Sequence, residues 1–435
     1  MKFGTKDITR LMRKYGVGIC VSALTVLFFL FLSTDYAYSQ PSGFNNFTII
    51  AIAKNFPGLD PTGAADSTNA LQAALNEAGG KRLILPGGTY TVTSLAMPKN
   101  GVNIFATGAK LVLGGNAIDG TPILSIPKYS KNIQIDGLEI DGRSNVLTQF
   151  TKISSIVSSG HVTDVLLNNI YFHDIPLSAV ELSSGDANWE IANNRIVHTG
   201  RHGIAVDYIT EQAHDLYFHD NHIEDCALSP MTIIAGNGDG GASDPGAQAS
   251  AGVENVNISK NYVSHNGLDI NGYSPNNKDI VITENTIEDN GIINQMGHAI
   301  HFAGTNIIIT KNIAHNTAIT AIEISGWPNG NPTPSVGFDI SDNVVENVLS
   351  NQNPRWGEGI LVQNASDGKI SGNQVSGTKQ CPIEVDGNAL DAGGPQIRDV
   401  TITGNAITNS PKLGNDGICV SHAVMVLIKD NNFIP

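Results

Sequence analysis

Residues 282–287 read Ile-Thr-Glu-Asn-Thr-Ile, and residues 309–314 repeat the pattern as Ile-Thr-Lys-Asn-Ile-Ala. An apolar residue, an Asn three positions later and a second apolar residue two positions after it recur ten times. The asparagines of these copies are Asn169, Asn194, Asn221, Asn261, Asn285, Asn312, Asn343, Asn373, Asn405 and Asn431. Their mean spacing is about 29 residues, which is typical of a repeat protein. The chain is therefore predicted to be a stack of similar units.

Most copies are followed by a second short stretch that alternates apolar and other residues, such as Ala299–Phe302 and Ala321–Ile324. Alternation with period two predicts β-strands with one face inward. Strands this short cannot bury an apolar face alone, so they are predicted to stack in register as an all-β, single-stranded parallel β-helix. We expect each repeated Asn to lie at a sharp corner, to hydrogen-bond to the turns above and below, and to tolerate a left-handed backbone.

Composition supports this interpretation and excludes others. The 435 residues include 46 Gly and 44 Asn, and only 15% are charged, which disfavours a helical bundle. At 41% hydrophobic residues the chain is too apolar to be disordered. The formal charge of −15 argues against a nucleic-acid partner, because such proteins normally carry a basic surface.

The first 39 residues are typical of a signal peptide: a basic start, an apolar run over residues 17–32, and Ala37-Tyr-Ser39 before the expected cleavage point. The protein is therefore expected to be secreted or periplasmic, and to meet the membrane only through this segment. Residues 40–130 are predicted to form an N-terminal cap and the first turns, with a capping helix over residues 69–78 that ends at Gly79-Gly80. Residues 131–435 are predicted to form the repeats. Removing residues 1–39 leaves three cysteines, which allow one disulfide and leave at least one thiol.

Two N-terminal stretches resemble a known family. Asp60-Pro-Thr-Gly-Ala-Ala-Asp66, with the helix after it, and Leu85-Pro-Gly-Gly-Thr-Tyr90 resemble the N-terminal signature of the pectate-lyase-like superfamily. The resemblance covers roughly residues 48–435 and implies a right-handed β-helix. Members include polysaccharide lyases, glycoside hydrolases of the polygalacturonase kind, alginate epimerases, phage tailspikes and binding proteins, so the fold does not select one activity. The sharper motifs of the polygalacturonases and alginate epimerases are absent from the sequence.

Outward-pointing residues of the second strand are expected to stack in columns about 4.8 Å apart. The sequence predicts one column that contains Glu181, Ala205, Thr232, Asp269, His301, Glu323, Leu361, Glu384 and Cys419, with Asp207 and Asn271 one pleat later. The candidate catalytic residues on this ridge are Asp207, Asp269, Glu323, His301 and His202. The candidate substrate-binding residues are Tyr208, Asn271, Tyr273, His298, Trp327 and Trp356, chosen because aromatic rings and polar side chains suit sugars.

The function predicted from these residues is cleavage or modification of a polysaccharide, with acid/base glycosidic cleavage favoured. Asp269 and Glu323, two turns apart, are expected to lie about 9–10 Å from each other, at the edge of the separation used by inverting glycosidases. The alternatives are a lyase or C5-epimerase acting on a uronate polymer, with His301 or His202 as base, and a non-catalytic polysaccharide-binding surface protein. No cofactor is required for hydrolysis, whereas a uronate reaction allows Ca²⁺ held by carboxylates.

Overall fold

A computed structural model describes the backbone of residues 49–52 and the full residues 56–207, 209–233, 251–291, 297–326, 334–349, 357–387, 397–408 and 417–434. The predicted signal peptide lies outside these residues, and the predicted boundary near residue 130 stays a prediction. Within the described residues, no helix is both long enough and apolar enough to cross a membrane.

The described chain winds through three series of parallel strands, one strand of each series in a typical turn. Twelve short strands form one sheet, which we call the site sheet. Its strands are Leu95–Ala96, Leu124–Ile126, Ile156–Ser158, Val180–Leu182, Ile204–Val206, Met231–Ile233, Ile270–Gly272, Ile300–Phe302, Ile322–Ser325, Ile360–Gln363, Ile383–Asp386 and Ile418–Ser421.

The other two series share a second sheet of 26 strands, which bends at each repeated-Asn corner. The strands that lead into the corner, with two early strands that pass through it, are Ile49–Ile52, Arg82–Ile84, Val102–Leu113, Lys131–Asp141, Thr163–Asn168, Ala187–Ala192, Ala213–His219, Val253–Ser259, Lys278–Thr283, Thr305–Thr310, Ser335–Ser341, Ala365–Ser371, Ile397–Thr403 and Ala423–Lys429. The strands that leave the corner are Thr62–Asp66, Gly88–Val92, Tyr171–Ile175, Arg195–Thr199, His222–Cys226, Tyr262–Ser264, Thr286–Glu288, Ile313–Thr317, Val344–Val348, Gln374–Ser376, Ala406–Thr408 and Asn432–Ile434.

Successive turns lie in register, so that residues distant in sequence become vertical neighbours. On the site sheet Ile270 pairs with Ile300, Ile300 with Ile322, and Ile322 with Ile360. All four side chains are fully buried in one continuous core. The predicted parallel β-helix is thus the observed architecture.

The repeated asparagines form a buried ladder at the corner. Asn285 donates its backbone N–H and its Nδ2 to Oδ1 of Asn312 at 3.0 and 2.9 Å, and Asn312 makes the same pair of bonds to Asn343. The ladder runs from Asn194 to Asn431. Each of the inner members therefore satisfies backbone and side-chain groups of two turns, which explains why the core tolerates so many buried amides.

Two details of the Asn prediction are wrong. Asn169 is exposed and bonds to Asp136, whereas Ile170 occupies the ladder position of that turn and donates its N–H to Oδ1 of Asn194. The left-handed residue is not the ladder Asn but the residue before it, for example Lys311 with φ +58°. The adjacent asparagines at 168, 169, 193 and 194 made the two positions indistinguishable in sequence.

An α-helix, Thr68–Glu77, precedes the first long strands. It buries Ala70, Leu71, Ala74 and Leu75 on one face, and the chain leaves it through Gly80, which has φ +73°. Its function as a cap over the open end of the β-helix stays a prediction.

Candidate functional site

The outward column of the site sheet that was predicted to contain Asp269 has another residue at that position. The register places Asn271, not Asp269, between Thr232 and His301. The strand is Ile270–Gly272, and Gly272 stands where an apolar residue was expected, because a Cβ there would meet the ring of Phe302 at 2.4 Å. The glycine hides the alternation, so the sequence alone favoured the wrong pleat for Asp269.

Five ionisable side chains nevertheless converge at this place. We call Asp269, Tyr273, His298, His301 and Glu323 the Asp269 cluster. They come from three consecutive turns, since His301 pairs with Asn271 on one side and with Glu323 on the other. None of the five residues is more than 9% exposed.

Asp269 is held by two donors from its own turn. Nδ2 of Asn271 donates to Oδ1 of Asp269 at 2.8 Å, and the hydroxyl of Tyr273 donates to Oδ2 at 3.1 Å. Asn271 is itself fixed, because its Nδ2 also donates to Ser229 at 2.7 Å and its Oδ1 accepts from Thr232 at 2.6 Å. A predicted substrate-binding residue is therefore a buried support for the carboxylate.

The two histidines lie between the two carboxylates of the cluster. Nδ1 of His298 lies 3.6 Å from Oδ2 of Asp269, and its Nε2 lies 3.4 Å from Oε2 of Glu323. Nδ1 of His301 lies 4.0 Å from the same Asp269 oxygen, and its Nε2 lies 3.5 Å from Oε1 of Glu323 and 2.8 Å from Oγ of Ser325. The two Nδ1 atoms are 3.2 Å apart.

Burial shifts the pKa values of Tyr273, His298, His301 and Glu323 toward their neutral forms. Burial, with the negative charges of Glu358 and Asp269, raises the pKa of Glu323 to about 8. Burial lowers the pKa of His298 and, with His298 beside it, lowers the pKa of His301 well below the usual range. Burial and then the charge of Asp269 raise the pKa of Tyr273 well above that of a free phenol. The contacts of the histidines are therefore those of neutral rings at pH 7.

Asp207 and His202 occupy another part of the ridge, two turns away from Asp269 along the site sheet. Arg201 donates to Oδ2 of Asp207 at 3.1 Å. His202 is 1% exposed and accepts the backbone N–H of Ser229 on Nδ1. Burial and the positive charge of Arg201 lower the pKa of His202 to about 3. These two candidates are therefore buried residues separate from the Asp269 cluster.

Three predicted aromatic contacts, Tyr208, Trp327 and Trp356, lie outside the described residues. Two residues beside the cluster were missed. Ser325 bonds to His301, and Glu358, which accepts from Thr320 at 2.8 Å, acts electrostatically on Glu323. A signal for Glu358 was present, because it precedes Ile360 by two residues as His298 precedes Ile300, and those isoleucines belong to one column.

Two groups of described residues could hold a metal ion, with ligand atoms within 4.8 Å of one another. One is Asp269, His298 and His301, which is buried; the other is Asp141, His173 and Asp174, which is half-buried. In the second group Nζ of Lys110 already lies 2.8 Å from Oδ2 of Asp141, so a cationic side chain serves that carboxylate.

No protein family profile and no curated protein sequence matches the chain. Among solved structures, the chain is similar to the A-module of mannuronan C-5 epimerase AlgE4 from Azotobacter vinelandii, with a TM-score of 0.52 and 15% identity over 88% of this chain and 94% of that one. It is also similar to PfbA, a surface adhesin of Streptococcus pneumoniae, with a TM-score of 0.58 and 13% identity over 88% and 92%. Tailspike protein 3 of bacteriophage CBA120 matches with a TM-score of 0.52 and 12% identity over 96% and 68%. At these identities the likeness shows the fold alone, a parallel β-helix.

Proposed function

We propose that the protein is a carbohydrate-active enzyme that acts on a polysaccharide outside the cytoplasm, by proton transfer at a sugar ring within the Asp269 cluster. The observation that carries the proposal is the contact of five ionisable side chains, each at most 9% exposed. Burying ionisable groups costs free energy, and their concentration with shifted pKa values is typical of active sites. A purely structural spike has no need of such a cluster.

The positions of the histidines favour removal of a proton from a ring carbon, as in a lyase or C5-epimerase, over the hydrolysis expected from sequence. Inverting hydrolysis needs two carboxylates about 6.5–9.5 Å apart with room for water between them. Here the ring of His298 lies between Asp269 and Glu323, at 3.6 and 3.4 Å from their oxygens. The space that a glycosidic oxygen and a water molecule would need is filled by imidazole, so the lyase or C5-epimerase alternative becomes the preferred one.

The contacts suggest a function for each side chain. Oε2 of Glu323 has no hydrogen-bond partner, so the ionised form of Glu323, which predominates above a pH of about 8, is assigned as the base that takes the ring proton. Tyr273 is assigned as the acid: in a lyase it gives its proton to the leaving oxygen, and in an epimerase it returns a proton to the opposite face of the carbon. Asp269 orients Tyr273, and the two imidazoles position Glu323.

Three further observations support an exported protein with a polysaccharide partner. The pattern of residues 1–39 is that of a signal peptide. Cys381 and Cys419 form a disulfide, and disulfides persist mainly in oxidising compartments. The fold neighbours carry the names of a mannuronan epimerase, a surface adhesin and a phage tailspike.

The test is incubation of the purified protein with a panel of neutral and uronate polysaccharides. We expect unsaturated ends, seen by ultraviolet absorbance, or an inverted C5 centre, seen by proton NMR. Glu323→Gln should reduce the rate about 10²–10⁴-fold, the usual contribution of an acid or base. Glu384→Gln is the matched control, since Glu384 stands in the same column two turns further on.

Two outcomes would overturn the proposal. New reducing ends without unsaturation, lost in Glu323→Gln, would establish hydrolysis instead. Tight binding of a polysaccharide with no product from any member of the panel would establish the other alternative, a non-catalytic polysaccharide-binding surface protein.

A further inference from the structure

We infer that Asp269, His298 and His301 bind one divalent transition-metal ion of the Zn²⁺ class through Oδ2 of the carboxylate and Nδ1 of both imidazoles. This inference goes beyond the proposed function and stands on the geometry of the three side chains. Nothing in it depends on which reaction the cluster performs.

The three ligand atoms have the mutual spacing of a metal site. The two Nδ1 atoms are 3.2 Å apart, and Oδ2 of Asp269 lies 3.6 Å from one and 4.0 Å from the other. Ligands bound at about 2.0–2.2 Å to a four-coordinate ion are separated by distances of this size. Three protein ligands leave one position for water or substrate, as in catalytic zinc sites.

The two facing Nδ1 atoms can be satisfied in two ways, by one shared proton or by a cation. In two neutral imidazoles 3.2 Å apart, only one Nδ1 can carry the proton between them. If His301 carries it, Ser325 can donate to Nε2 of His301 and Nε2–H of His298 points at Glu323. If His298 carries it, the bare Nε2 of that ring faces Oε2 of Glu323, and neither atom has a hydrogen-bond partner. A metal ion accepts both Nδ1 lone pairs and leaves both Nε2 atoms protonated.

Outer partners for those Nε2–H groups are already in place. Nε2 of His301 lies 2.8 Å from Oγ of Ser325, and Nε2 of His298 lies 3.4 Å from Oε2 of Glu323. A metal-bound histidine usually donates its other N–H to a carboxylate or another oxygen, which fixes the ring. Asp269 is fixed in the same way by Asn271 and Tyr273.

The donor set selects the class of metal. Two imidazole nitrogens and one carboxylate suit Zn²⁺ and neighbouring transition metals, whereas Ca²⁺ and Mg²⁺ prefer oxygen ligands throughout. The Ca²⁺ allowed by the sequence is therefore a poor fit at this place. Because the ion takes only the Nδ1 atoms and one Asp269 oxygen, Tyr273 and Glu323 stay outside its coordination, and a Lewis acid would stand beside both.

The experiment measures metal binding directly on the full chain. After chelator treatment and dialysis, the protein is titrated calorimetrically with ZnCl₂, CoCl₂ and CaCl₂, and the visible spectrum of the Co²⁺ form is recorded. We expect saturable binding of one Zn²⁺ or Co²⁺ per chain, the visible bands of low-coordinate Co²⁺, a Tm raised by several degrees, and far weaker binding of Ca²⁺.

Variants separate this site from adventitious binding. His298→Ala and His301→Ala should abolish the stoichiometric binding, and Glu323→Gln should weaken it about 10–100-fold through the outer contact. His173→Ala changes the half-buried group of Asp141, His173 and Asp174. It is the matched control and should still bind one equivalent of Zn²⁺. Should the histidine variants fail to fold, the Co²⁺ spectrum of the unaltered chain and the Glu323→Gln titration still decide.

The inference is overturned by the absence of saturable Zn²⁺ and Co²⁺ binding, by unchanged affinity in the folded His298 and His301 variants, or by loss of binding in His173→Ala. None of these results affects the activity test. A protein that turns over polysaccharide without binding metal would lose this inference alone, and one that binds metal without turnover would lose the proposed function alone.

Discussion

Buried histidines in this molecule differ in what faces their second ring nitrogen. In the Asp269 cluster, Nε2 of each ring faces an oxygen of Glu323 at 3.4 or 3.5 Å. Nε2 of His202, like Nε2 of His298, is buried with no hydrogen-bond partner, but among the described residues no carboxylate forms an ion pair with His202. A ring in that position can stay neutral but has nothing to stabilise its charged form, so His202 is better explained by packing than by catalysis.

His202 should make the protein sensitive to acid. The pKa of His202 is lowered to about 3 in the folded state, first by burial and then by the charge of Arg201, which itself pairs with Asp207. An unfolded histidine titrates near 6.5, so between these values the unfolded state binds more protons and stability falls as pH falls. From pH 7 to pH 4 this group should cost about 3 kcal/mol of unfolding free energy.

Denaturant unfolding at pH 7 and pH 4 checks this expectation. His202→Asn keeps an acceptor for Ser229 and should lose much less stability between the two pH values. His222→Asn, at a half-buried position, should retain the full acid sensitivity. Equal pH dependence in His202→Asn and the unaltered protein would show that the neutral ring is not the cause.

Tyr273→Phe tests the acid assigned in the proposed function. The change removes only the hydroxyl that donates to Asp269, while the ring keeps its edge contact with His301 at 4.7 Å between centroids. We expect the turnover rate to fall about 10²–10⁴-fold with a small change in Tm. Tyr262→Phe removes another tyrosine–carboxylate bond, to Glu288 at 2.7 Å, and should leave the rate unchanged. A matching loss in both variants would mean that the effect is structural.

At the scale of the turn, the corner asparagine is the residue that links each turn of the β-helix to the turns above and below it. Asn312 accepts two bonds from Asn285, donates two to Asn343, and donates Nδ2 to the carbonyl oxygen of Ile282. Asn312→Ala removes the side-chain partners and leaves buried donors unsatisfied, which costs about 1–3 kcal/mol for each such group. We expect a total loss of about 3 kcal/mol or more, measured by denaturant unfolding.

Asn431→Ala provides the graded comparison, because it stands at the last, partly exposed rung and bonds only to Asn405 and to two backbone carbonyls. Water can replace its partners, so its loss should be smaller. Equal losses at both positions would contradict a ladder whose strength depends on burial.

The repeat made most of this fold predictable, and glycine made part of the site unpredictable. Ten spaced asparagines and the alternating strands were sufficient to infer stacked turns. They did not fix the register of the strand Ile270–Gly272, because its second inward residue is Gly272, which makes room for Phe302. The columns placed His298 at the edge of the ridge that contains Asp269, but they did not give the contact between the two side chains, since both residues lie just before their strands rather than within them.

For the molecule as a whole, local stability should differ from turn to turn along the β-helix. Each turn contacts mainly its neighbours, so repeat proteins can open from one end. The final described turns expose large apolar residues, including Met425 at 68% and Phe433 at 54%, whereas the turns of the Asp269 cluster are buried. The disulfide Cys381–Cys419 joins the last described turn, which contains Met425 and Phe433, to the turn before it.

Loss of that disulfide should therefore loosen the C-terminal turns first. In a Cys381→Ser/Cys419→Ser variant we expect hydrogen exchange of residues 397–434 to accelerate strongly, because closure of this loop contributes about 2–4 kcal/mol. Residues 269–325 should keep their protection, since the turns between them carry their own ladder and core. Cys226→Ala, which retains the disulfide, controls for loss of a thiol. Uniform acceleration across both segments would show that the β-helix unfolds as one cooperative unit and that the site depends on the distant crosslink.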